Sequence, residues 1–332
     1  MRKIIKTNEV SQEAKNVLKK RTLIALIMLI VLIPCLVIGS WAYLGLVVIA
    51  IGASTYEIAK APSRKLSWLV WAITFIIMYS LIFWLVFKAN IPDNFAKFDI
   101  NKSFTQINLS PIALSVMIIL YLFVVIIKSK EFRLVDACYL IAMTLLLSLG
   151  FQAILAVRYL PFERFDAIDG FDITRSAFKY GHSMFLILYL LIAIFFNDIG
   201  AYLIGMLFGK HKMAPHVSPK KTWEGFAGGV TFSFLCSISF GLSVAHCNLP
   251  MLPIFTIEKW YWIILTSAIL PLVAVLGDLS FSAIKRQFGK KDYSKVLGPH
   301  GGILDRIDST LFGALALVIL IIFITNGWSF LQ

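Results

Sequence analysis

Long apolar stretches recur along almost the whole chain and are separated by short polar segments. Each stretch is about twenty residues long, which is the length that an α-helix needs to cross a hydrocarbon core of about 30 Å. The stretches show no alternation of apolar and polar residues, so the pattern argues against a transmembrane β-barrel. We therefore predict an all-α, polytopic integral membrane protein whose nine transmembrane helices lie near residues 22–39, 41–59, 66–88, 111–127, 136–157, 183–208, 225–246, 259–277 and 310–327.

The composition agrees with this prediction. Of the 332 residues, 59% are apolar and 15% are charged, which is too apolar for a soluble domain of this size. The first apolar stretch follows Lys19, Lys20 and Arg21, as in a signal peptide. It has no small-residue cleavage site, however, and a second apolar stretch follows at once. The four cysteines show no paired or metal-binding spacing, so we interpret them as small apolar residues that pack within or beside the helices.

Lysine and arginine residues are distributed unevenly over the polar segments, and this predicts the orientation in the membrane. With the amino terminus in the cytoplasm, 23 of the 31 Lys and Arg residues fall in the inner segments, which are 1–21, 60–65, 128–135, 209–224 and 278–309. The carboxyl terminus then lies outside. This topology and attraction to anionic lipid explain the net charge of +13. Basic and aromatic residues do not interleave, so the sequence does not indicate nucleic-acid binding.

One ionisable residue, Asp198, lies inside the apolar stretch 183–208. Insertion of such a residue into a membrane costs about 2.5–3.5 kcal/mol, so Asp198 is a candidate for function. The structural alternative is a carboxylate that a neighbouring helix satisfies. Gly200, Gly205 and Gly209 would also allow a neighbouring helix to approach closely, which requires no catalytic role.

The polar segment that follows this stretch ends with the run from Ser218 to Gly225, Ser-Pro-Lys-Lys-Thr-Trp-Glu-Gly. Thr222 is expected to cap the helix that follows. On a helix, Lys220 and Lys221 would point about 100° apart and would contact different phosphate oxygens. Paired lysines at the inner end of a helix are also the ordinary signal of membrane topology, so this segment alone does not identify a site.

A second polar segment, which begins at Asp278, combines carboxylates, cations and glycines. Asp305 and Asp308 have an i, i+3 spacing that puts both carboxylates on one helical face. The cations that can hold phosphates, and the glycines whose amides can approach a phosphate, are Lys285, Arg286, Lys290, Lys291, Lys295, Gly298, Gly301 and Gly302. Carboxylates are suitable ligands for Mg²⁺. Phosphoryl chemistry needs both kinds of group, so we predict an enzyme that acts on a phosphorylated lipid.

The same segment resembles the signature of the phosphatidate cytidylyltransferases, also called CDP-diacylglycerol synthases. The positions that match are Ser282, Lys285, Arg286, Lys291, Asp292, Ser294, Leu297, Gly298, His300, Gly301, Gly302, Asp305, Arg306 and Asp308. A second block of the family is matched at Ser218, Pro219, Lys221, Thr222, Glu224 and Gly225. The resemblance covers most of residues 195–310, whereas the amino-terminal half matches only in being helical. We therefore divide the chain into a cytoplasmic segment 1–21, transmembrane helices in 22–180 and a catalytic transmembrane region 181–332.

The resemblance implies that CTP and phosphatidic acid react to give CDP-diacylglycerol and pyrophosphate. The reaction would depend on Mg²⁺, with a second cation such as K⁺ left open. The implied metal ligands are Asp278, Asp305 and Asp308. The implied catalytic residues, most of them contacts to phosphate oxygens, are Lys285, Arg286, Lys291, His300 and Arg306. The implied substrate-binding residues are Asp198, Ser218, Lys220, Lys221, Thr222, Glu224, Ser282, Gly301 and Gly302.

Other functions are compatible with parts of this pattern. A CTP-dependent lipid kinase would share the nucleotide and the fold but would transfer the γ-phosphoryl group. An ion-coupled transporter would also use Asp198 and Asp278, but transporters often have repeated halves and this chain has none. A lipid-binding scaffold would not need the paired carboxylates.

The expected partners are CTP, phosphatidic acid and the lipid bilayer, with no nucleic acid. The expected location is a bacterial inner (plasma) membrane, with the active site facing the cytoplasm. Small-residue helix faces permit a homodimer.

Overall fold

A computed structural model describes residues 12–62, 66–90, 111–159, 181–247, 251–252, 254–298 and 301–326. In these ranges the chain forms nine helices and one two-stranded hairpin. The helices are α1 (Gln12–Ile38), α2 (Ser40–Lys60), α3 (Trp68–Asn90), α4 (Pro111–Ile127), α5 (Leu134–Tyr159), α6 (Gly181–Phe208), α7 (Trp223–His246), α8 (Trp260–Gln287) and α9 (Leu304–Asn326). The strands are β1 (Lys212–Ala214) and β2 (Ser218–Thr222).

Six of these helices, α2 and α5 to α9, are long and apolar enough to cross a membrane. The other three carry shorter apolar stretches, which are Leu26–Ile38, Trp68–Phe83 and Pro111–Ile127. Many large apolar side chains on the helices are exposed, for example Ile126 at 76%. Such a surface is typical of helices that contact lipid, so the prediction of a helical integral membrane protein is confirmed.

Helices α8 and α9 continue beyond the apolar stretches that predicted them. Helix α8 includes the polar residues up to Gln287, and α9 already begins at Leu304. Gly289 ends α8 because it adopts a φ of +64°. Its amide donates to the carbonyl of Arg286, and the next amide donates to the carbonyl of Lys285. The polar ends of both helices are therefore rigid supports for the side chains that they carry.

One apolar core joins the two halves of the chain. Its buried members include Ile51 of α2, Phe151 of α5, Tyr189 of α6 and Phe281 of α8. A smaller core lies between α3, α4 and α5, around Tyr121. The amino-terminal helices thus pack directly against the helices that carry the motif residues.

Helices α6 and α7 pack backbone against backbone. A Cβ on Gly225 would lie 2.8 Å from the carbonyl oxygen of Ala201 and 3.1 Å from the Cα of Gly205. A Cβ on Gly229 would lie 2.6 Å from the carbonyl oxygen of Asn197. Only glycine fits at these contacts, so the close helix approach expected for this part of α6 is confirmed. We call the contacts of Gly205, Gly225 and Gly229 the glycine seam.

The hairpin between α6 and α7 is a feature that the sequence did not predict. Its strands are antiparallel, with Lys212 opposite Thr222 and Ala214 opposite Ser218. The angle of about 100° that was considered for Lys220 and Lys221 on a helix therefore does not apply, because both residues lie on β2. The physical reason is Pro219, which donates no backbone hydrogen bond and favours an extended conformation for the residue before it.

Candidate active site

The two motif-bearing polar segments meet at one end of the bundle, where Lys221 contacts Asp278. The ammonium group of Lys221 lies 2.6 Å from a carboxylate oxygen of Asp278, and both side chains are partly exposed. Strand β2 turns successive side chains to opposite sides. Lys220 is therefore exposed, whereas Lys221 faces α8. Residues that are far apart in the sequence thus belong to one site.

Thr222 and Glu224 attach the hairpin to the first turn of α7. The Thr222 hydroxyl accepts a hydrogen bond from the amide of Gly225 at 3.1 Å, which confirms the predicted cap. The Glu224 carboxylate accepts hydrogen bonds from the amides of Lys210 and His211 and lies 2.6 Å from the His211 ring. Both side chains therefore hold the strand that presents Lys221, and a direct contact to substrate stays a prediction for them.

Thr222→Ala is expected to lower the free energy of unfolding by about 0.5–2 kcal/mol, because the cap of α7 is lost. Thr222→Ser keeps the hydroxyl and is the matched control. Thermal unfolding of the detergent-solubilised protein measures both variants. Equal destabilisation by serine and alanine would show that the methyl group, and not the cap, carries the effect.

Asp305 is the most highly connected carboxylate of the site. One oxygen lies 2.7 Å from the ammonium group of Lys285, and these side chains are only 4% and 9% exposed. The other oxygen accepts hydrogen bonds from the amides of Tyr293, at 3.0 Å, and Gly302, at 2.9 Å. Asp305 thus connects α8 and α9 to the segment 288–303 between them, which we call the signature loop.

Tyr293, a residue of the signature loop, has a buried, neutral side chain. Burial raises the pKa of its hydroxyl far above the ordinary value, and the nearby acidic groups raise it further. The Lys285 ammonium group lies 5.5 Å from the centre of the Tyr293 ring, within the range of a cation–π contact. Tyr293 therefore supports Lys285 and is unsuited to act as a base near neutral pH.

Gly301 and Gly302 of the signature loop form hydrogen bonds and close contacts within the protein. Gly301 adopts a φ of +85°, which favours glycine, and its amide donates to the carbonyl of Gly298 at 3.2 Å. A Cβ on Gly302 would lie 2.5 Å from the carboxylate of Glu57. Because both amides already have acceptors within the protein, phosphate binding by Gly301 and Gly302 stays a prediction that requires these amides to change partners.

Glu57 of α2 is a functional candidate that the sequence analysis missed. It is fully buried, and its carboxylate accepts hydrogen bonds from the Ser294 hydroxyl at 2.6 Å and from the amides of Ile303 at 2.9 Å and Leu304 at 2.8 Å. The signal was present in the sequence, because Glu57 is an ionisable residue within the apolar stretch 41–59, as Asp198 is in its own stretch.

Three further carboxylates interact through their charges. The negative charge of Asp278 acts on both Asp198 and Asp308. Asp308 is buried, at 5% exposure, whereas Asp198 lies on the exposed side of α6. The positive charges of Lys221 and Arg306 act on Asp198. Side chains from the hairpin and from α6, α8 and α9 therefore share one electrostatic environment.

The chemistry of these donors fits a hard divalent cation, because carboxylate oxygens are its usual ligands. The donors are engaged with cations of the protein itself. Asp278 is paired with Lys221 and accepts a hydrogen bond from Ser282 at 3.3 Å, and Asp305 is paired with Lys285. Among the described residues, no three His, Cys, Asp or Glu side chains form a preassembled metal centre.

Among the remaining predicted residues, Arg286 has defined contacts. Arg286 donates from Nε to the carbonyl of Val217 at 3.0 Å and from Nη1 to that of Lys290 at 2.9 Å, so it ties the hairpin to the signature loop. Lys291 and Arg306 are exposed, and Ser218 is partly exposed on β2. His300 lies outside the described residues.

Comparison with known proteins finds a family match over most of the chain. A family model described as "Cytidylyltransferase family" matches residues 19–324. Phosphatidate cytidylyltransferase from Mycobacterium bovis is 41% identical over 128 residues, which are 38% of this chain and 38% of that protein. The protein of that name from Staphylococcus saprophyticus is 42% identical over 136 residues, which are 41% of this chain and 48% of that protein. For Staphylococcus haemolyticus the identity is 33% over 213 residues, or 64% of this chain and 68% of the relative. The match thus spans less than half the length of the first two relatives.

Proposed function

This chain belongs to the cytidylyltransferase family, and we propose that it transfers the cytidylyl group of CTP to phosphatidic acid, giving CDP-diacylglycerol and pyrophosphate. The observation that carries the proposal is the contact between Lys221 and Asp278. It joins the block that contains Lys221 to the polar segment that begins at Asp278 and carries the signature block. The names of the relatives support the same reaction.

The reaction requires the site to bring two anions together. The phosphate of phosphatidic acid attacks the α-phosphorus of CTP, and the bond to the pyrophosphate leaving group breaks. A phosphate monoester has a second pKa near 6, so the nucleophile is largely ionised at neutral pH and needs no general base. The protein therefore contributes mainly position and positive charge.

The cations of the site are suited to this task. Lys221 and Lys285 are held next to carboxylates, and Lys291 and Arg306 are exposed. In the proposed reaction these groups contact phosphate oxygens, and the Arg306 guanidinium can bind two oxygens at once. Arg286 keeps the hairpin and the signature loop together through its bonds to backbone carbonyls.

The residues that would hold Mg²⁺ are Asp278, Asp305 and Asp308. The ion, when bound, would neutralise charge on the pyrophosphate leaving group. Lys221 and Lys285 already neutralise Asp278 and Asp305. In the proposal, these two lysines exchange their carboxylate partners for phosphate oxygens when metal and substrates bind.

The proposed topology has nine membrane spans, a cytoplasmic amino terminus and an active site that faces the cytoplasm of a bacterium. The excess of Lys and Arg in the segments assigned to the cytoplasm supports it. Both motif-bearing segments fall on this side, where CTP is available. A homodimer through small-residue helix faces is part of the same proposal.

The purified protein in detergent, with phosphatidic acid, Mg²⁺ and labelled CTP, tests the proposed reaction. Label at the α-phosphate should appear in the lipid product, and label at the γ-phosphate should leave as pyrophosphate. Transfer of the γ-label to lipid would instead identify a CTP-dependent lipid kinase. Absence of labelled lipid from both forms of CTP would contradict the proposal.

A further inference from the structure

We propose that Glu57 of α2 is a positioning residue that holds the signature loop in its active geometry. The effect on activity rests on the proposed function, whereas the contacts themselves do not. Glu57 lies outside the region that resembles the family signature, in a helix of the amino-terminal half. The inference therefore assigns these helices a direct part in shaping the site.

The Glu57 carboxylate holds the signature loop at two places. The hydroxyl of Ser294, in the middle of the loop, donates to one oxygen at 2.6 Å. The amides of Ile303 and Leu304, where the loop enters α9, donate at 2.9 Å and 2.8 Å. These amides begin a helix, where a negative charge is stabilised by the helix dipole. One side chain thus fixes the path of the loop on both sides of its glycines.

Gly302 packs closely against the Glu57 carboxylate, which leaves no room for a side chain at this position of the loop. A Cβ at this position would lie 2.5 Å from the Glu57 carboxylate, so the loop approaches α2 as closely as a backbone can. The amide of Gly302 donates to Asp305, which in turn pairs with Lys285. A displacement at Glu57 would therefore be passed to both charged residues of that pair.

A second contact between α2 and the signature loop supports the inference independently. The ammonium group of Lys290, near the start of the loop, donates to the carbonyl of Lys60 at 2.7 Å. Lys60 is the last residue of α2, one turn beyond Glu57. The end of α2 therefore contacts the loop near its beginning, in its middle and at its end.

The carboxylates of Glu57 and Asp305 lie at the amino terminus of α9, and they affect where the phosphates of the substrates can bind. The amino terminus of a helix is a favourable place for a phosphate. Here Glu57 and Asp305 accept the hydrogen bonds of the amides of Gly302, Ile303 and Leu304. As long as these hydrogen bonds are kept, the phosphates of the substrates are directed to the lysine and arginine side chains and not to these amides.

Glu57→Gln tests the proposal with two readouts. Glutamine has the same shape as glutamate, but its NH₂ group replaces one of the two oxygens that accept hydrogen bonds from the loop. The backbone amides of Ile303 and Leu304 should therefore exchange with deuterium faster than in the wild type. The kcat for CDP-diacylglycerol formation should fall about tenfold or more, because small displacements of reacting groups are costly. The KM for CTP should change little, because the Glu57 carboxylate is buried and bound by donors of the protein itself.

Ser54→Ala is the matched control, because Ser54 is a fully buried polar residue of the same helix and its hydroxyl has no hydrogen-bond partner among the described residues. It should leave exchange and kcat at wild-type values. If Glu57→Gln does not fold, Ser294→Ala removes one contact and should produce smaller changes in the same direction.

Three outcomes would overturn the inference. Unchanged deuterium exchange at Ile303 and Leu304 would show that Glu57 does not hold the loop. Faster exchange with wild-type kcat would show that the contact is purely structural. Loss of thermal stability with unchanged kcat per folded molecule would lead to the same conclusion. A wild-type protein that forms no CDP-diacylglycerol would contradict the proposed function, but the exchange measurement would still test the contact.

Discussion

Asp305→Asn is expected to lower the free energy of unfolding by about 3–5 kcal/mol, because it leaves the buried Lys285 ammonium group without its carboxylate. The amides of Tyr293 and Gly302 would also lose part of their acceptor. We expect turnover to fall by about a hundredfold or more, since a proposed metal ligand and the geometry of the signature loop are affected together. Thermal unfolding in detergent and Mg²⁺-dependent product formation measure the two effects.

The double variant Lys285→Met with Asp305→Leu separates these contributions. It replaces the buried ion pair by apolar side chains, which is often neutral or stabilising by about 1–4 kcal/mol. We therefore expect most of the stability to return while turnover stays absent. A double variant as unstable as Asp305→Asn would show that the backbone amides, and not the ion pair, carry the loss. Wild-type turnover in Asp305→Asn would contradict both roles assigned to Asp305.

Gly229→Ala is expected to disrupt the glycine seam. The new methyl group would lie 2.6 Å from the carbonyl oxygen of Asn197 and 3.0 Å from the amide nitrogen of Ala201, and neither backbone atom can move aside cheaply. Overpacking of this kind costs about 1–3 kcal/mol or more. Activity should fall as well, because a shift of α7 displaces the hairpin that presents Lys221. Thermal unfolding and kcat are the measurements.

Gly45→Ala is the matched control for the seam. Gly45 lies within α2, and a Cβ at this position would have no contact within 4 Å to any described residue beyond the backbone of its own helix turn. Alanine is favoured over glycine in a helix interior, so the control should be neutral or stabilising by up to about 1 kcal/mol. Equal destabilisation at Gly45 and Gly229 would show that helix propensity or the membrane environment, and not the seam, determines the result.

The helices were predictable from the sequence because twenty apolar residues in a row leave few alternatives. Their ends were less predictable. The polar turns that extend α8 to Gln287 and start α9 at Leu304 depend on hydrogen bonds and caps, which apolar periodicity does not report. The hairpin was missed for a related reason, since its short strands are stabilised by contacts with α7 and the loop more than by their own pattern.

The sequence predicted many of the residues of the site but not the contacts between them. The sequence indicated Asp278, Asp305 and the lysines, but the way these charges pair depends on which helices lie next to each other. Glu57 was missed although its position in an apolar stretch is conspicuous, because no motif joins α2 to the signature loop. Its partners Ile303 and Leu304 are apolar residues that contribute only backbone amides, which a sequence does not display.

The glycine seam has a consequence for the route of a lipid into the protein. Where the backbones of α6 and α7 touch, at Gly205 and Gly225, no gap is wide enough for a hydrocarbon tail. In the proposed reaction, the acyl chains of a diacyl substrate could therefore not pass between α6 and α7 at these contacts and would have to reach Asp278 by another route.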